Sequence, residues 1–338
     1  MTGPNGAGKT SLVEAIVLGC LGVSPRTSRE AEIVRRGAEA LHVTLDLEGP
    51  EGLRRREIGF APRRGRRLRI DGEPVASLAA WRARGAVLVF IPDELRSVKG
   101  PPAARRRAVD RLLEAADPGY AEALAGYLEA LTQRNALLRR VRAGHTGPAA
   151  LPAFEARMAR LGAQVAAARR RGTLELGPPF ARWLAALGGG EDGRLAMETS
   201  PTDLAGAADE DLEEALAAAF SARREREIAA AQTLAGPHRD DLAIAAGETD
   251  LRRLGSQGEQ RTAALALLLA HRDHLSARAA QPILLLDDVL SELDPERRER
   301  LLAAVGRDGQ AVVTSADPHA FGGVDAHSIH VEDGRVAA

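Results

Sequence analysis

Residues 283–294 read Ile-Leu-Leu-Leu-Asp-Asp-Val-Leu-Ser-Glu-Leu-Asp, and the placing of apolar and acidic residues there decides the fold class. Ile283 to Leu286 follow Pro282 and run directly into Asp287 and Asp288. A continuous apolar run of this length suits a strand buried on both faces of a parallel sheet, although periodicity alone also admits a buried helical segment. Two carboxylates at the C-terminal end of such a strand lie where open α/β sheets bind ligands. Hard oxygen donors there suit Mg²⁺, commonly held by one or two carboxylates together with substrate phosphates. Such a metal needs a phosphate cradle.

The cradle stands at the other end of the chain. Gly3-Pro4-Asn5-Gly6-Ala7-Gly8-Lys9-Thr10 fits the G-x4-G-K-[ST] P-loop pattern. Glycines let the backbone approach phosphate and adopt positive φ. Successive N–H groups form an anion nest, and a helix over Ser11 to Leu18 offers its N-terminus to the β-phosphate. Lys9 is expected to reach the β- and γ-phosphates, and Thr10 to hold Mg²⁺. Only Met1 and Thr2 precede Gly3. The strand that ordinarily delivers a P-loop is therefore expected to be missing, by truncation or by substitution of another segment, with truncation favoured.

Composition sets the bounds. A chain of 338 residues buries a sizeable core and fits two lobes. A formal net charge of −1 gives no global pull toward nucleic acid, so any such affinity comes from local patches. Two of the 46 basic residues are lysines, Lys9 and Lys99. The arginine excess reflects coding bias more than selection, so a lone arginine proves little. The single cysteine, Cys20, excludes an internal disulfide and a Cys-rich zinc site, and reads as a small core residue. No apolar run reaches 18 residues and no signal peptide is seen, so a soluble, cytoplasmic chain without a membrane role is expected.

Between residues 40 and 90 the chain reads as β-rich. Leu41, Val43, Leu45 and Leu47 alternate with polar residues. Arg54–Gly59 and Arg66–Ile70 look like further strands, with Asp71-Gly72 as a turn. Ala86–Ile91 is a buried-strand candidate. The arginines at 54–56, 63, 64, 66, 67 and 69 would contact phosphates if lined along one sheet surface; solvated edge charges are the alternative. From Gly100 to about Ala230 the chain is rich in Ala, Leu, Arg and Glu, with breaks expected at Pro118-Gly119, Gly147-Pro148, Pro178-Pro179 and Gly188 to Gly190. Leu124, Leu128, Leu131, Asn135 and Leu138 form a coiled-coil-like face. The runs Arg105–Arg107 and Arg169–Arg171 read as solvated helix faces. Past this region, GPHRDDL at 236–242 is a site loop or a plain turn. Ser256-Gln257-Gly258-Glu259-Gln260-Arg261 opens an apolar helix, a second anion-binding N-terminus.

With these pieces in place the chain resembles the RecF family, bacterial recombination mediators within the SMC/ABC-type ATPases. The resemblance is carried by GPNGAGKTSLVEAI at 3–16, FIPDELRSVKGPPAARRRAVD at 90–110, YLEALTQRNALLR at 127–139, GPHRDDL, SQGEQR at 256–261 and PILLLDDVLSELD at 282–294. It implies an α/β fold: a P-loop ABC-type ATPase head with a mixed sheet and an inserted helical arm lobe. The division expected is head over 1–98, arm over 99–230 and head again over 231–338. ATP and Mg²⁺ would be the cofactors. Gly3, Asn5, Gly6, Gly8, Lys9, Thr10 and Ser11 would bind nucleotide; Thr10 and Asp287 would hold the metal. Asp288 would position or activate the attacking water, with Asp287 as its catalytic partner. Ser256 and Gly258 of the signature would meet the γ-phosphate of ATP held by a second protomer, and Gln260 would also bind nucleotide. Ser291 to Asp294 matches the D-loop. The switch falls near Thr314 and Ser315, where no histidine stands, and the Q-loop near Pro92-Asp93.

The same resemblance implies an ATP-dependent homodimer that binds double-stranded DNA near gaps or single-strand/double-strand junctions, with RecR and RecO as partners. Because Asp288 stands where ABC heads carry the longer Glu, slow hydrolysis is expected, suited to a timed clamp. The competing readings are a transporter nucleotide-binding domain, disfavoured by SQGEQ and the inserted arm, an ATP-dependent nuclease, and an ATP-binding DNA scaffold without significant hydrolysis.

Overall fold

The computed structural model describes the chain except residues 28, 50–51, 83–86, 202–203, 278–280, 307–308, 323 and 338, and also omits the side chains of 79, 92, 93 and 337. The chain divides into two compact units, residues 1–94 with 275–338, and residues 95–274.

The first unit starts with helix α1 (Lys9–Leu21), strands β1 (Leu41–Gly49), β2 (Gly52–Ala61), β3 (Gly65–Ile70) and β4 (Glu73–Pro74), helix α2 (Leu78–Arg82) and strand β5 (Val87–Phe90). In the second unit come α3 (Arg96–Lys99), α4 (Pro102–Ala116), α5 (Pro118–Arg142), α6 (Leu151–Ala186), β6 (Gly193–Glu198), α7 (Leu212–Ala230), β7 (Asp241–Ala246), β8 (Thr249–Asp250) and α8 (Gln257–Ser276). The first unit is completed by β9 (Ile283–Leu286), α9 (Pro295–Val305), β10 (Ala311–Val313), β11 (His330–Glu332) and β12 (Arg335–Ala337).

The opening stretch is a strand, and a central one. β9 lies between β5 and β10, parallel to both. Leu284, Leu285 and Leu286 are each at most 1% exposed, which is why the run needs no polar alternation. Val13, Val17 and Cys20 of α1 share a core with Val87, Val89, Ile91 and Leu285. Burial raises the Cys20 thiol to a pKa of about 11, against the opposing pull of Arg56, so it packs as an inert core group.

Among the described residues no strand leads into the P-loop, as expected, and Met1 and Thr2 make isolated pairings. Thr2 forms parallel bridges with Ser315 on one side and His330 on the other. The Ser315 N–H donates to the Met1 carbonyl at 3.0 Å, Thr2 N–H to Ile329 at 2.8 Å and Val331 N–H to Thr2 at 2.8 Å. These are isolated bridges and do not amount to a strand.

Strands β1 to β4 form an antiparallel sheet in sequence order. β1 alternates as read, with Leu41, Val43, Leu45 and Leu47 half-buried and His42, Thr44, Asp46 and Glu48 exposed. The arginines of this sheet do not share one surface. Period-2 alternation puts Arg55, Arg67 and Arg69 on one face and Arg54, Arg56 and Arg66 on the other. Arg56 is buried beside Trp81, 4.2 Å from its ring centroid, and donates to the Cys20 and Trp81 carbonyls. Arg54 pairs with Asp71, Arg55 with Asp46 and Arg66 with Glu30.

Three expectations about the arm also change. First, β7 pairs antiparallel with β6 from Gly193↔Ala246 to Glu198↔Asp241, so the chain past residue 230 stays with the helices, and the return to the first unit comes at 275. Second, α6 runs through Pro178 and Pro179 without ending. Leu176, Phe180 and Leu184 on either side are fully buried, and this packing holds the helix despite the two missing N–H donors. Third, the buried stripe of α5 is Tyr120, Ala123, Tyr127, Ala130, Arg134 and Leu138, together with Leu124; Leu128 is 45% exposed. The true seam is displaced toward residues that do not look apolar.

Candidate nucleotide site

Gly3, Gly6 and Gly8 have φ of 149°, 82° and 106°. A Cβ on Gly3 would lie 2.1 Å from the Val331 carbonyl oxygen, and one on Gly8 would lie 3.1 Å from Gly334 Cα. The β11–β12 hairpin therefore backs the loop, and Gly334 N–H donates to Ala7 at 2.7 Å. Around Gly6 nothing lies within 4 Å, so that bend is open. Gly8 caps α1 without any side-chain hydrogen bond, leaving the first turn available to an anion. Lys9 is 7% exposed, and its Nζ donates to the Gly3 carbonyl at 2.7 Å and the Pro4 carbonyl at 3.0 Å. An ammonium has three donors, so one remains for a ligand. Thr10 is half-buried; Asn5 and Ser11 are exposed.

The acidic pair is held from behind by Thr314, a residue which sequence reading placed only near the switch. Thr314 Oγ1 donates to Asp287 Oδ1 at 2.7 Å and accepts from Asp288 N–H at 2.9 Å. Asp287 is 3% exposed. Asp288 adopts a left-handed backbone with φ 51°, and its Oδ1 is buried without a hydrogen-bond partner. Such an orphaned oxygen costs about 1–3 kcal/mol in a site that holds nothing. Thr314 and Ser315 follow β10, which pairs with β9 on one side; Ser315 meets Met1 on the other. The P-loop and the acidic pair thus leave the same edge of the sheet, one strand apart. The residues fit a Mg²⁺–ATP group: Thr10 and Asp287 would hold the metal, whose positive charge would offset that of the phosphates. The D-loop begins with Ser291 Oγ donating to the Asp288 carbonyl at 2.9 Å and ends where Asp294 caps α9 through Arg297 N–H. The Q-loop expectation at Pro92-Asp93 falls on side chains outside the described set.

The signature stands in the second unit. Ser256 and Glu259 form a reciprocal capping box at the start of α8, and both Ser256 and Gln257 are exposed. Gly258 is half-buried. Gln260 departs from its expected role in binding nucleotide. Its amide is buried and donates to the Leu251 and Arg252 carbonyls, so it shapes the loop that precedes the signature.

GPHRDDL meets Arg105, Arg106 and Arg169 in one buried polar knot, which corrects the solvated-face reading for these three, while Arg107 and Arg171 remain exposed. Arg105 is 1% exposed and forms a two-pronged pair with Asp241. Arg106 donates to the Asp240 carbonyl. Arg169 binds Asp110 through Nε at 2.8 Å and Nη2 at 3.0 Å, and donates to the Pro237 carbonyl at 2.6 Å. Desolvation opposes the Arg169 charge, but Asp110, Tyr120 and Asp240 outweigh it and raise its pKa. Tyr127 Oη and His238 Nδ1 are hydrogen-bonded at 2.7 Å. Burial lowers His238 to a pKa of about 4. Arg252 lies 3.5 Å from Asp241, so the knot also reaches the loop before the signature.

A family model described as an AAA domain matches residues 1–77. The DNA replication and repair protein RecF of Chloroflexus aurantiacus is 39% identical over 364 residues, covering 99% of this chain and 92% of the relative. The chain belongs to the RecF family. RecF of Heliobacterium modesticaldum is 37% identical, covering 94% of this chain and 86% of its own. A solved structure of the recombination mediator RecF with ATP superposes with a TM-score of 0.87 at 26% identity, covering 99% of this chain and 90% of that one. An Smc head bound to the C-winged helix domain of ScpA gives 0.58 at 16% identity, covering 99% and 87%, a likeness of fold alone. The fold is the ABC-type ATPase head. Among the described residues no helix is long and apolar enough to cross a membrane.

Proposed function

We propose that this RecF-family chain is an ATP-dependent DNA clamp of recombinational repair and replication restart. Two copies dimerise on ATP, bind double-stranded DNA near gaps or strand junctions, and separate after slow hydrolysis. One observation carries the reading: an open phosphate cradle and an acidic pair with an unpartnered buried oxygen leave the same sheet edge. Gly3, Gly6, Gly8 and Lys9 would hold the phosphates, and Asp288 would orient water for attack on the γ-phosphate. The exposed capping Ser256 and neighbouring Gly258 of one copy would close over ATP held by the other. Dimerisation follows by mass action, because the complete site exists only in the pair. The short side chain of Asp288 reaches less far than Glu, which favours slow turnover. RecR and RecO are the partners that the family suggests; the RecF–ATP structure is described as belonging to the RecFOR pathway.

Light scattering of the full chain with ATP and Mg²⁺ tests this directly. The mass should double with ATP, fall back as ATP is consumed, and stay doubled in Asp288→Asn. A monomer at saturating ATP would refute the clamp. Fast hydrolysis without DNA would refute the timer.

A further inference from the structure

We infer that the tip of the α5–α6 hairpin, residues 139–150, is a contact site for nucleic-acid phosphates; this rests on the DNA-binding reading above. Across residues 130–154 there is no Asp or Glu, yet Arg134, Arg139, Arg140 and Arg142 lie within the stretch. Arg134 is neutralised deep between helices by Glu155 and Glu227. Several arginines of this unit are matched with carboxylates, as Arg107 with Glu114, Arg157 with Glu129 and Arg171 with Asp209. Arg139, Arg140 and Arg142 are set apart by clustering within one helical turn of an acid-free stretch: all three are exposed, and none has a carboxylate partner among the described residues. At 100° per residue they fan over roughly 160° around the last turn of α5.

The remainder of the tip favours a polyanion over a protein partner. Ala143, Gly144, His145, Gly147, Pro148, Ala149 and Ala150 are exposed and mostly small, with Gly144 turning at φ 71°. They let a broad surface approach the guanidinium groups. Protein hot spots centre on buried aromatic or large apolar anchors, and the exposed tip offers none. Guanidinium forks match phosphate in two-pronged geometry. A helix C-terminus also attracts basic residues through its dipole, but that local effect calls for no ligand and predicts no change in DNA binding when the charges are removed.

The test compares the full-length parent with Arg139→Gln/Arg140→Gln/Arg142→Gln, using a fluorescent duplex of forty base pairs with ATP across a salt series. Loss of three phosphate contacts should reduce the slope of log affinity against log salt by about 2.7. Affinity at moderate salt should fall about tenfold or more, with melting temperature, ATP binding and ATP-dependent mass unchanged. A parent-like slope in the triple variant overturns the tip assignment. A parent that binds no duplex at any salt overturns the DNA reading itself, and the tip with it.

Discussion

The P-loop region and the GPHRDDL knot are both dense in charge, yet one leaves polar groups without partners and the other satisfies them. At the nucleotide site Lys9 keeps a donor, Gly6 faces open space and Asp288 Oδ1 has no partner. In the knot the Asp110 and Asp241 carboxylates are held by Arg169 and Arg105, the Asp240 carbonyl accepts from Arg106, and the Asp240 carboxylate accepts from Ser200 N–H at 3.0 Å. A buried orphan by itself is no mark of a ligand, since Arg134 Nε is one too; at the nucleotide site the orphan coincides with an open glycine bend and a spare ammonium donor. Ionic motifs that look alike in sequence thus divide by what their side chains lack.

The comparison breaks most sharply at buried Arg134, which is 0% exposed and donates to Glu155 and Thr233 while pairing with Glu227. Arg134→Ala should leave the buried Glu227 without its arginine, while Glu155 keeps Arg224, and cost about 3–5 kcal/mol, read as a lower urea midpoint at an unchanged m-value. ATP affinity per folded molecule should not change. Lys9→Ala should do the opposite. Its ammonium holds only two carbonyls of its own loop, so stability should move by less than about 0.5 kcal/mol. Affinity for a fluorescent ATP analogue should fall by about a hundredfold, equivalent to ~2.7 kcal/mol. Arg134→Ala without loss of stability, or Lys9→Ala with it, would erase the distinction.

That asymmetry also explains what was legible in the sequence. The P-loop and the β9 run were readable because their meaning is local: glycine spacing, then four apolar residues before two acids. The arginine runs were misread because their partners are remote, Arg105 with Asp241 across 136 residues and Arg169 with Asp110 across 59. Charge patterning along a helix gives no sign of such closure. The α5 stripe was displaced because Ala130 and Arg134 carry no strong apolar signal, although both are fully buried. Thr314 escaped as a site residue because a single threonine after a short strand has no pattern; only its bond to Asp287 reveals it. The isolated bridges of Thr2 are visible only together with their partners Ser315 and His330.

Acid should weaken the knot. Burial holds His238 at a pKa of about 4 and His271 at about 3, against an ordinary 6.5. Between those values the unfolded chain binds more protons than the folded one, so stability is full above pH 6.5 and is lost as pH falls through that window. His238 contributes on the order of 2–3 kcal/mol of that loss by pH 4. Urea midpoints from pH 7 to 4.5 should fall less steeply in His238→Gln than in the parent, and equal slopes would remove His238 from the account.

The smallest expected effect is the most discriminating. Asp288→Asn removes a charge from a half-buried carboxylate whose Oδ1 has no partner, and Asn tolerates φ 51° at least as well as Asp. Its melting point should therefore hold or rise slightly, by the equivalent of ~0.5 kcal/mol, while ATP-bound dimers should no longer separate. Asp241→Asn, made as the partner experiment, should destabilise through Arg105, whose buried charge then faces an amide. One aspartate would thus sustain turnover at a small cost in stability, and the other stability alone. A loss of stability in Asp288→Asn comparable to that in Asp241→Asn would place Asp288 among the structural carboxylates, and its unpartnered oxygen would no longer point to a ligand.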